Sequence, residues 1–581
     1  MRAQLPELFP RPRELNLRGG FLPAPAAPHP TGVFLKSLPQ TIAEAQAALD
    51  ESKRTACRIE RLPKLAAESY YLEITTSGIH LQASDAAGVL YGCQTLRQIH
   101  EQNPLELPQL EILDSPDLAV RGFMLDVSRC KVPTQSELRQ LIRSLCRLRV
   151  NQLQLYIEHT FAFSGHDEVW QNASPLTPAE IEQLDRECLN HGIELVPNLN
   201  TFGHMERWLK HPRYQALAEC PEGWIHPLTG LFKPTPATLK PDQASLDFVA
   251  NLLDSYLPHF RSAQINIGGD EPWELGQGFS KSSVEKNGKH AVYLAHLKKI
   301  CALVSARGRT PQFWGDILLE DLKLAAEAPP SAIPVIWGYD AGHPFNAQAG
   351  RLHELGRDFL IAPGTSTWQS FTGRLDNALT NQSEAIGAAI RHEARGVLVT
   401  AWGDNGNHQP WPTNWLPMAS GLAQAWCFAA NQKDDTEPAC DILGGPDGYM
   451  GLASSIALKH IGKLDTLIAK SIRNKSLTWE FLVSNREQLA VARAGVSDKE
   501  ISASIEYLKD GQGLVKMIEH EVIREELLVG VDCALAGLLK AQGKPLSSAE
   551  AKELEARYRH AWLQRARVGG LEESVRELHL T

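Results

Sequence analysis

The chain has 581 residues, 43% hydrophobic and 22% charged, with a formal net charge of -10 at pH 7. That length predicts about two to four globular units, each able to bury its own core. The acidic balance, with no basic block and no aromatic-plus-basic ladder, excludes nucleic acid as a partner.

The first segment, "MRAQLPELFPRPRELNLRGG", has no apolar run behind its positive charges. No later stretch reaches the ~18 uninterrupted apolar residues of a membrane span, so the expectation is a soluble cytoplasmic protein with no membrane partner. Ten cysteines stand singly without a C-x-x-C pair. They read as reduced, mostly buried thiols, and no metal or other cofactor is expected.

Residues 1–115 read as an N-terminal α/β accessory domain. In "YYLEITTSGIHLQASDAAGVLYGCQTLRQIHEQ" near-alternation at Tyr71, Glu73 and Thr75 predicts a strand, S-G a turn and 79–83 a second strand. A helix over 86–100 follows, with Leu90, Cys93, Leu96 and Ile99 on one face. From Val120 short apolar runs alternate with helix-length segments, among them helices predicted over 135–148 and 178–191. The runs are "VRGFMLDVS", "NQLQLYIE", "IELVPNLN", "AQINIGGDE", "TPQFWGD", "IPVIWGYD", "DFLIAPG" and "GVLVTAWGD". Eight such runs predict a (β/α)8 TIM barrel over 116–430, in the α/β class.

Residues 431–581 read as a C-terminal helical domain, with i, i+3, i+4 apolar spacing and S-x-x-E starts, joined through a linker near 430–450. These helices are free to pack on the barrel, to form a homodimer interface or to cover the mouth. Spacing alone does not choose.

Barrel enzymes carry their chemistry where the strands end. Asp126, Glu158, Asn198, Asp270, Asp316, Asp340 and Asp404 fall at predicted strand ends and are expected to converge on one mouth. In "INIGGDEPWELG", Gly268 and Gly269 remove side chains ahead of Asp270 and Glu271, and two adjacent carboxylates disfavour each other's ionised form. A proton donor beside a fixed anion suits glycoside hydrolysis. Trp314, Trp337, Trp368 and Trp402, also at strand ends, would supply flat apolar walls for sugar rings. Against this stand the plainer roles: a capping pair for the two acids, core packing for each tryptophan or for His204, and an ion pair with Asp126 for Arg121.

Seven motifs in order, "SDAAGVLYGCQTLRQI", "RGFMLDVSR", "ELVPNLNTFGHMERWL", "INIGGDE", "FWGDIL", "VIWGYD" and "LVTAWGDNG", resemble family 20 glycoside hydrolases, the β-N-acetylhexosaminidases, over residues 1–430. The resemblance implies exo-hydrolysis of terminal β-linked N-acetylglucosamine or N-acetylgalactosamine from a glycan or glycoconjugate. The substrate's own acetamido oxygen attacks the anomeric carbon to give an oxazolinium ion, with retention of configuration. It implies that Asp270 orients the acetamido group, that Glu271 is the general acid and base, and that Arg121 holds O3 and O4. His204 would support the acid, Trp314, Trp337 and Trp402 would wall the pocket, and Asp404 would grip O4 or O6.

The chain also departs from the family pattern. Asn266 stands where the family has histidine, and "YIEHTF" replaces an acidic pair, leaving Glu158 or His159 as the acid's partner. The tyrosine that clamps the acetamido oxygen is missing, with Trp368 or Tyr339 as replacements. These departures resemble a divergent, hexosaminidase D type branch. They keep open a glycosidase acting on a sugar without an acetamido group, or a sugar-binding protein without turnover.

Overall fold

The structure, a computed structural model, describes residues 5–23, 38–50, 57–320, 322–432 and 451–580; most of the expected linker lies outside these. Five strands, β1 (Glu14–Pro23), β2 (Cys57–Arg61), β3 (Tyr70–Thr75), β4 (Gly78–Ala83) and β5 (Glu106–Asp114), form one sheet in the order β1-β5-β3-β4-β2. The alternation read at Tyr71, Glu73 and Thr75 is the half-exposed face of β3, whose other residues are buried. The helix Ala86–Gln102 covers that buried face, capped by Asp85, whose side chain accepts from the Gly88 amide.

The barrel strands are β6 (Val120–Asp126), β7 (Gln152–Ile157) and β8 (Glu194–Leu199), then, after a two-residue-strand hairpin β9 (Trp224–Ile225) and β10 (Phe232–Lys233), β11 (Gln264–Asn266), β12 (Thr310–Trp314), β13 (Ile333–Trp337), β14 (Leu360–Ala362) and β15 (Gly396–Ala401). They close as β11-β12-β13-β14-β15-β6-β7-β8 with every pairing parallel. β7 and β15 are buried at every residue; β15 shows in the sequence as a nearly continuous apolar run, whereas β7 carries Gln152 and Gln154 among its apolar residues.

The barrel interior is not wholly apolar. Gln154 donates to Gln312 at 2.8 Å and accepts from Asn198 at 2.9 Å and from Asn266 at 3.3 Å. Because β7 and β12 are not neighbours, these amides meet across the barrel interior. Asn198 therefore belongs to this interior layer and not to the mouth, a correction to its expected place.

Two arginines join the barrel base to the N-terminal sheet. Arg149 pairs with Asp114, donates to Thr95 Oγ1 at 2.9 Å and lies over the Trp426 ring at 4.4 Å. Arg121, at the amino end of β6, donates to the carbonyls of Arg149 and Leu118 at 2.8 Å each and pairs with Glu68. It is wholly buried at the end of the barrel opposite the strand termini. The expected contact of Arg121 with sugar hydroxyls is thus corrected, and so is its alternative pairing with Asp126.

The C-terminal helices pack on the barrel. The S-x-x-E starts are capping boxes at Ser497 and Ser547. Arg565 bridges Glu526 at 2.8 Å and Glu137 of the barrel at 2.6 Å, and Arg567 meets Glu180 at 2.7 Å. The last helix, Leu571–Leu578, reaches the mouth, where Glu573 takes both guanidinium nitrogens of Arg207 at 2.5 and 2.8 Å. Among the described residues no helix is long and apolar enough to cross a membrane.

Removing Arg149 strands Asp114 in the core. Arg149→Met should cost about 3–5 kcal/mol. Calorimetry should show this as a lowered unfolding temperature, whereas an unchanged temperature would mean that the Arg149–Asp114 pair adds nothing to the docking of the sheet.

Candidate active site

Arg129 sits three residues past Asp126, on the turn that leaves β6, and the turn is shaped by Asp126 itself. Asp126 Oδ1 accepts from the Ser128 and Arg129 amides at 2.9 and 3.1 Å, while Oδ2 accepts from the Arg129 guanidinium and the Gly403 amide at 3.0 Å each. The guanidinium reaches Glu158 at 3.3 Å and Asp404 at 3.6 Å, and lies over the rings of Tyr156 and Trp402 at 4.7 and 5.0 Å. Arg129, not Arg121, is the arginine of "RGFMLDVSR" that reaches the mouth. The signal was its distance past the strand's carboxyl end; both arginines stand in the same "RGFMLDVSR" motif, and only strand direction separates them.

The Asp270–Glu271 turn follows β11. Asn266 is the hinge: its Oδ1 accepts from the Gly268 amide at 3.0 Å. Gly268 has φ +71°, and a Cβ there would lie 2.1 Å from Asn200 Oδ1, so both backbone shape and space require glycine. Gly203 lets the neighbouring loop close in, since a Cβ there would meet the Asp270 carbonyl at 2.6 Å. His204 and Glu271 themselves hold φ of +56° and +48°. Non-glycine residues in this region carry strain of a kind that clusters at functional sites.

The two acids receive different surroundings. His204 Nε2 lies 3.3 Å from Asp270 Oδ2 and 3.8 Å from Glu271 Oε2. Burial opposes a charge on the ring, but Asp270 outweighs it and lifts His204 to about 10, so the ring is an imidazolium at neutral pH. Asp270 has a side chain 10% exposed against 32% for Glu271. Asp270 Oδ1 is buried without a hydrogen-bond partner in the described structure. Burial, reinforced by Asp270 and Asp404 and opposed by His204, holds the Glu271 carboxyl above the ordinary range. Burial and the charges of Asp270 and Glu271 drive Asp316 well above it, and Trp337 Nε1 donates to Asp316 Oδ1 at 3.4 Å.

A cavity of about 710 Å³ opens at this mouth, lined by Arg129, Glu158, His204, Glu271, Trp273 and Asp404 among others. That falls within the about 300–1,000 Å³ typical of ligand pockets. Beside it Tyr156, Trp314, Tyr339, Trp368 and Trp402 pack as one cluster with Trp337 at its edge. Trp314 and Trp402 stand 5.7 Å apart, Tyr339 stacks on Trp337 at 5.4 Å and meets Trp368 edge-on at 5.1 Å. Trp314 and Trp368 are almost wholly buried, and their indole N–H groups have no partner in the described structure.

Glu158 accepts from the Tyr156 hydroxyl at 2.9 Å and faces Arg129, while burial and the charges of Arg207 and Lys210 keep His159 neutral. Of the two, Glu158 lies on the cavity. Asp340 is drawn away: it pairs with Arg374 at 2.9 Å and accepts from the Asn474 amide at 3.4 Å.

Comparisons with known proteins agree with this architecture. Residues 5–115 match the family model Glycosyl hydrolase family 20, domain 2, and residues 119–372 match Glycosyl hydrolase family 20, catalytic domain. A beta-hexosaminidase of Akkermansia muciniphila is 25% identical over 323 residues, 49% of this chain and 65% of that protein. Human hexosaminidase D is 32% identical over 292 residues, 47% of this chain and 57% of that protein. The chain thus spans about three fifths of the length of these two relatives. The crystal structure of Flavobacterium johnsoniae chitobiase shares the fold with a TM-score of 0.60 at 15% identity, over 98% of this chain and 99% of that one.

The His204–Asp270 pair makes stability depend on pH in a defined direction. A histidine raised from 6.5 to about 10 contributes stability in full below 6.5 and loses it as pH rises to about 10. The stability gap between wild type and His204→Gln, measured by urea unfolding, should be largest near pH 6 and should shrink toward pH 10. A gap independent of pH would show that the ring is uncharged.

Proposed function

The chain belongs to glycosyl hydrolase family 20, and on that footing we propose that it removes terminal β-linked N-acetylhexosamine from glycans or glycoconjugates by substrate-assisted hydrolysis with retention. The observation that carries this reading is the inequality between the two adjacent acids. Asp270 is buried against an imidazolium with one oxygen unengaged, and Glu271 is a half-buried acid open to the cavity.

In this reading Asp270 Oδ1 accepts the acetamido N–H, turns the carbonyl oxygen toward the anomeric carbon and balances the oxazolinium charge. Glu271 gives its proton to the leaving oxygen, then takes one from the water that opens the ring. His204, 3.3 Å from Asp270 Oδ2, holds that carboxyl in place. Arg129, with Asp404 beside it, meets the sugar hydroxyls with its fixed donors, the role first expected of Arg121.

The cluster of Trp314, Trp337, Trp368 and Trp402 shields the reacting carbon from water. It contains two phenols. That of Tyr156 is engaged by Asn200 at 2.6 Å and by Glu158, whereas Tyr339, beside the Trp402 indole, keeps its own proton to donate and would hold the acetamido oxygen in place of the family's tyrosine.

The deciding assay is 4-nitrophenol release from β-GlcNAc, β-GalNAc, β-glucoside and β-galactoside substrates, with a thiazoline analogue of the oxazolinium ion as inhibitor. Turnover confined to the N-acetylated sugars and blocked by the thiazoline is expected; turnover of plain glucosides, or of nothing, would overturn the proposal. Glu271→Gln should lose about 10²–10⁴-fold on substrates with poor leaving groups. Asp270→Asn should lose about 10²–10³-fold on every N-acetylated substrate. Because the acid must start protonated, kcat/KM should fall as pH rises through the titration of Glu271, above the ordinary glutamate value of about 4.3.

A further inference from the structure

The general acid marks the side of the site on which the leaving group lies, because it must touch the oxygen that departs. Two residues beyond Glu271 stands Trp273, whose amide donates to the Glu271 carbonyl at 2.7 Å, and both side chains line the same cavity. Trp273 does not stand alone. The β9–β10 hairpin, inserted between β8 and β11, brings His226 to 5.7 Å from the Trp273 ring at 35°, and His226 stacks on Trp224 at 5.4 Å and 26°. All three rings line the cavity on the Glu271 side, with Lys233 at its edge.

This aromatic ladder is fastened to the acid's own loop. Gln277 accepts from the Ile225 amide at 3.1 Å and donates to the Ile225 carbonyl at 3.0 Å, holding the hairpin strand by both backbone groups. At the hairpin base, Glu274 accepts from the Ala237 amide, and Glu219 accepts from the Ser280 amide at 2.9 Å. Hairpin and acid loop are thus one rigid unit, which is what a recognition surface in register with a proton donor requires. Trp224 is itself buried, its indole N–H donating to the Thr235 carbonyl at 3.1 Å, so it backs the two partly exposed rings, His226 and Trp273, that face the cavity.

We propose, on the footing of the hexosaminidase reading, that Trp273, His226 and Trp224 form a subsite for a saccharide leaving group, stacking on the C–H face of the sugar that carries the released N-acetylhexosamine. Flat rings in line suit a pyranose face, and Lys233 with Glu206 across the cavity supplies a donor and an acceptor for its hydroxyls. The preferred substrates are therefore oligosaccharides, not simple glycosides.

The test compares two substrates that share the glycone preferred in the nitrophenyl panel. One is a disaccharide whose leaving group is a second sugar; the other is the methyl glycoside, which leaves this subsite empty. In Trp273→Ala and in the hairpin variant His226→Ala, kcat/KM on the disaccharide should fall by about tenfold, the size of one lost apolar contact, while the methyl glycoside changes by less than about twofold. Equal loss on both substrates would assign these rings to the scaffold, and no loss on either would remove the subsite; each overturns the proposal. So would an octyl glycoside that loses rate in the variants while the disaccharide does not, since the exposed Leu228, Leu231 and Phe232 of the hairpin would then be the recognition surface. A wild-type protein that hydrolyses neither sugar substrate overturns the hexosaminidase reading itself, and is told apart by needing no variant.

Discussion

Six carboxyl groups, those of Asp126, Glu158, Asp270, Glu271, Asp316 and Asp404, crowd one barrel mouth, and the rest of the site depends on how Arg129 and His204 hold them together. Like charges at these separations in a half-dry cavity are costly. Arg129 takes Asp126, Glu158 and Asp404, and His204 takes Asp270. Burial is the main cause that holds Glu271, Asp316 and Asp404 above the ordinary carboxylate range, and the neighbouring carboxylates add to it. The raised Glu271 carboxyl is therefore a property of burial and crowding together, and the packing around the mouth is tight enough to hold His204 and Glu271 in left-handed backbone.

The domains on either side of the barrel serve that arrangement differently. The N-terminal sheet is locked to the barrel base by Arg121 and Arg149, far from the mouth, through buried ion pairs whose loss would leave unpaired charges. The C-terminal helices act at the rim. Arg207, on the short helix that follows His204, is held by Glu573, so the last helix of the chain steadies the loop that carries the imidazolium.

Much of this was legible before any coordinates. The eight strands stood out because parallel strands buried on both faces are mostly apolar runs, and the helix starts because capping chemistry is local. The Asp270–Glu271 turn announced itself through its glycines. What resisted reading was direction and depth. Arg121 and Arg129 flank one strand, and the choice between them needs the strand's polarity, which places the first at the base and the second at the mouth. Asn198 and Asp340 sit at strand ends yet turn to a barrel-interior amide and to Arg374, partners more than 30 residues away in sequence. The hairpin ladder of Trp224, His226 and Trp273 joins segments with no shared pattern, so only the fold brings it into view.

In the proposed hydrolysis the substrate's acetamido oxygen is the nucleophile and Asp270 steadies it. The most direct measurement is the rate of hydrolysis of 4-nitrophenyl hexosaminides bearing N-acetyl, N-fluoroacetyl and N-trifluoroacetyl groups. Fluorine withdraws electrons from that oxygen, so kcat should fall steeply across the series, with the fall steepest for the trifluoro substrate. A kcat unchanged across the three would mean that the acetamido group takes no part in the reaction, and that the adjacent acids serve another nucleophile.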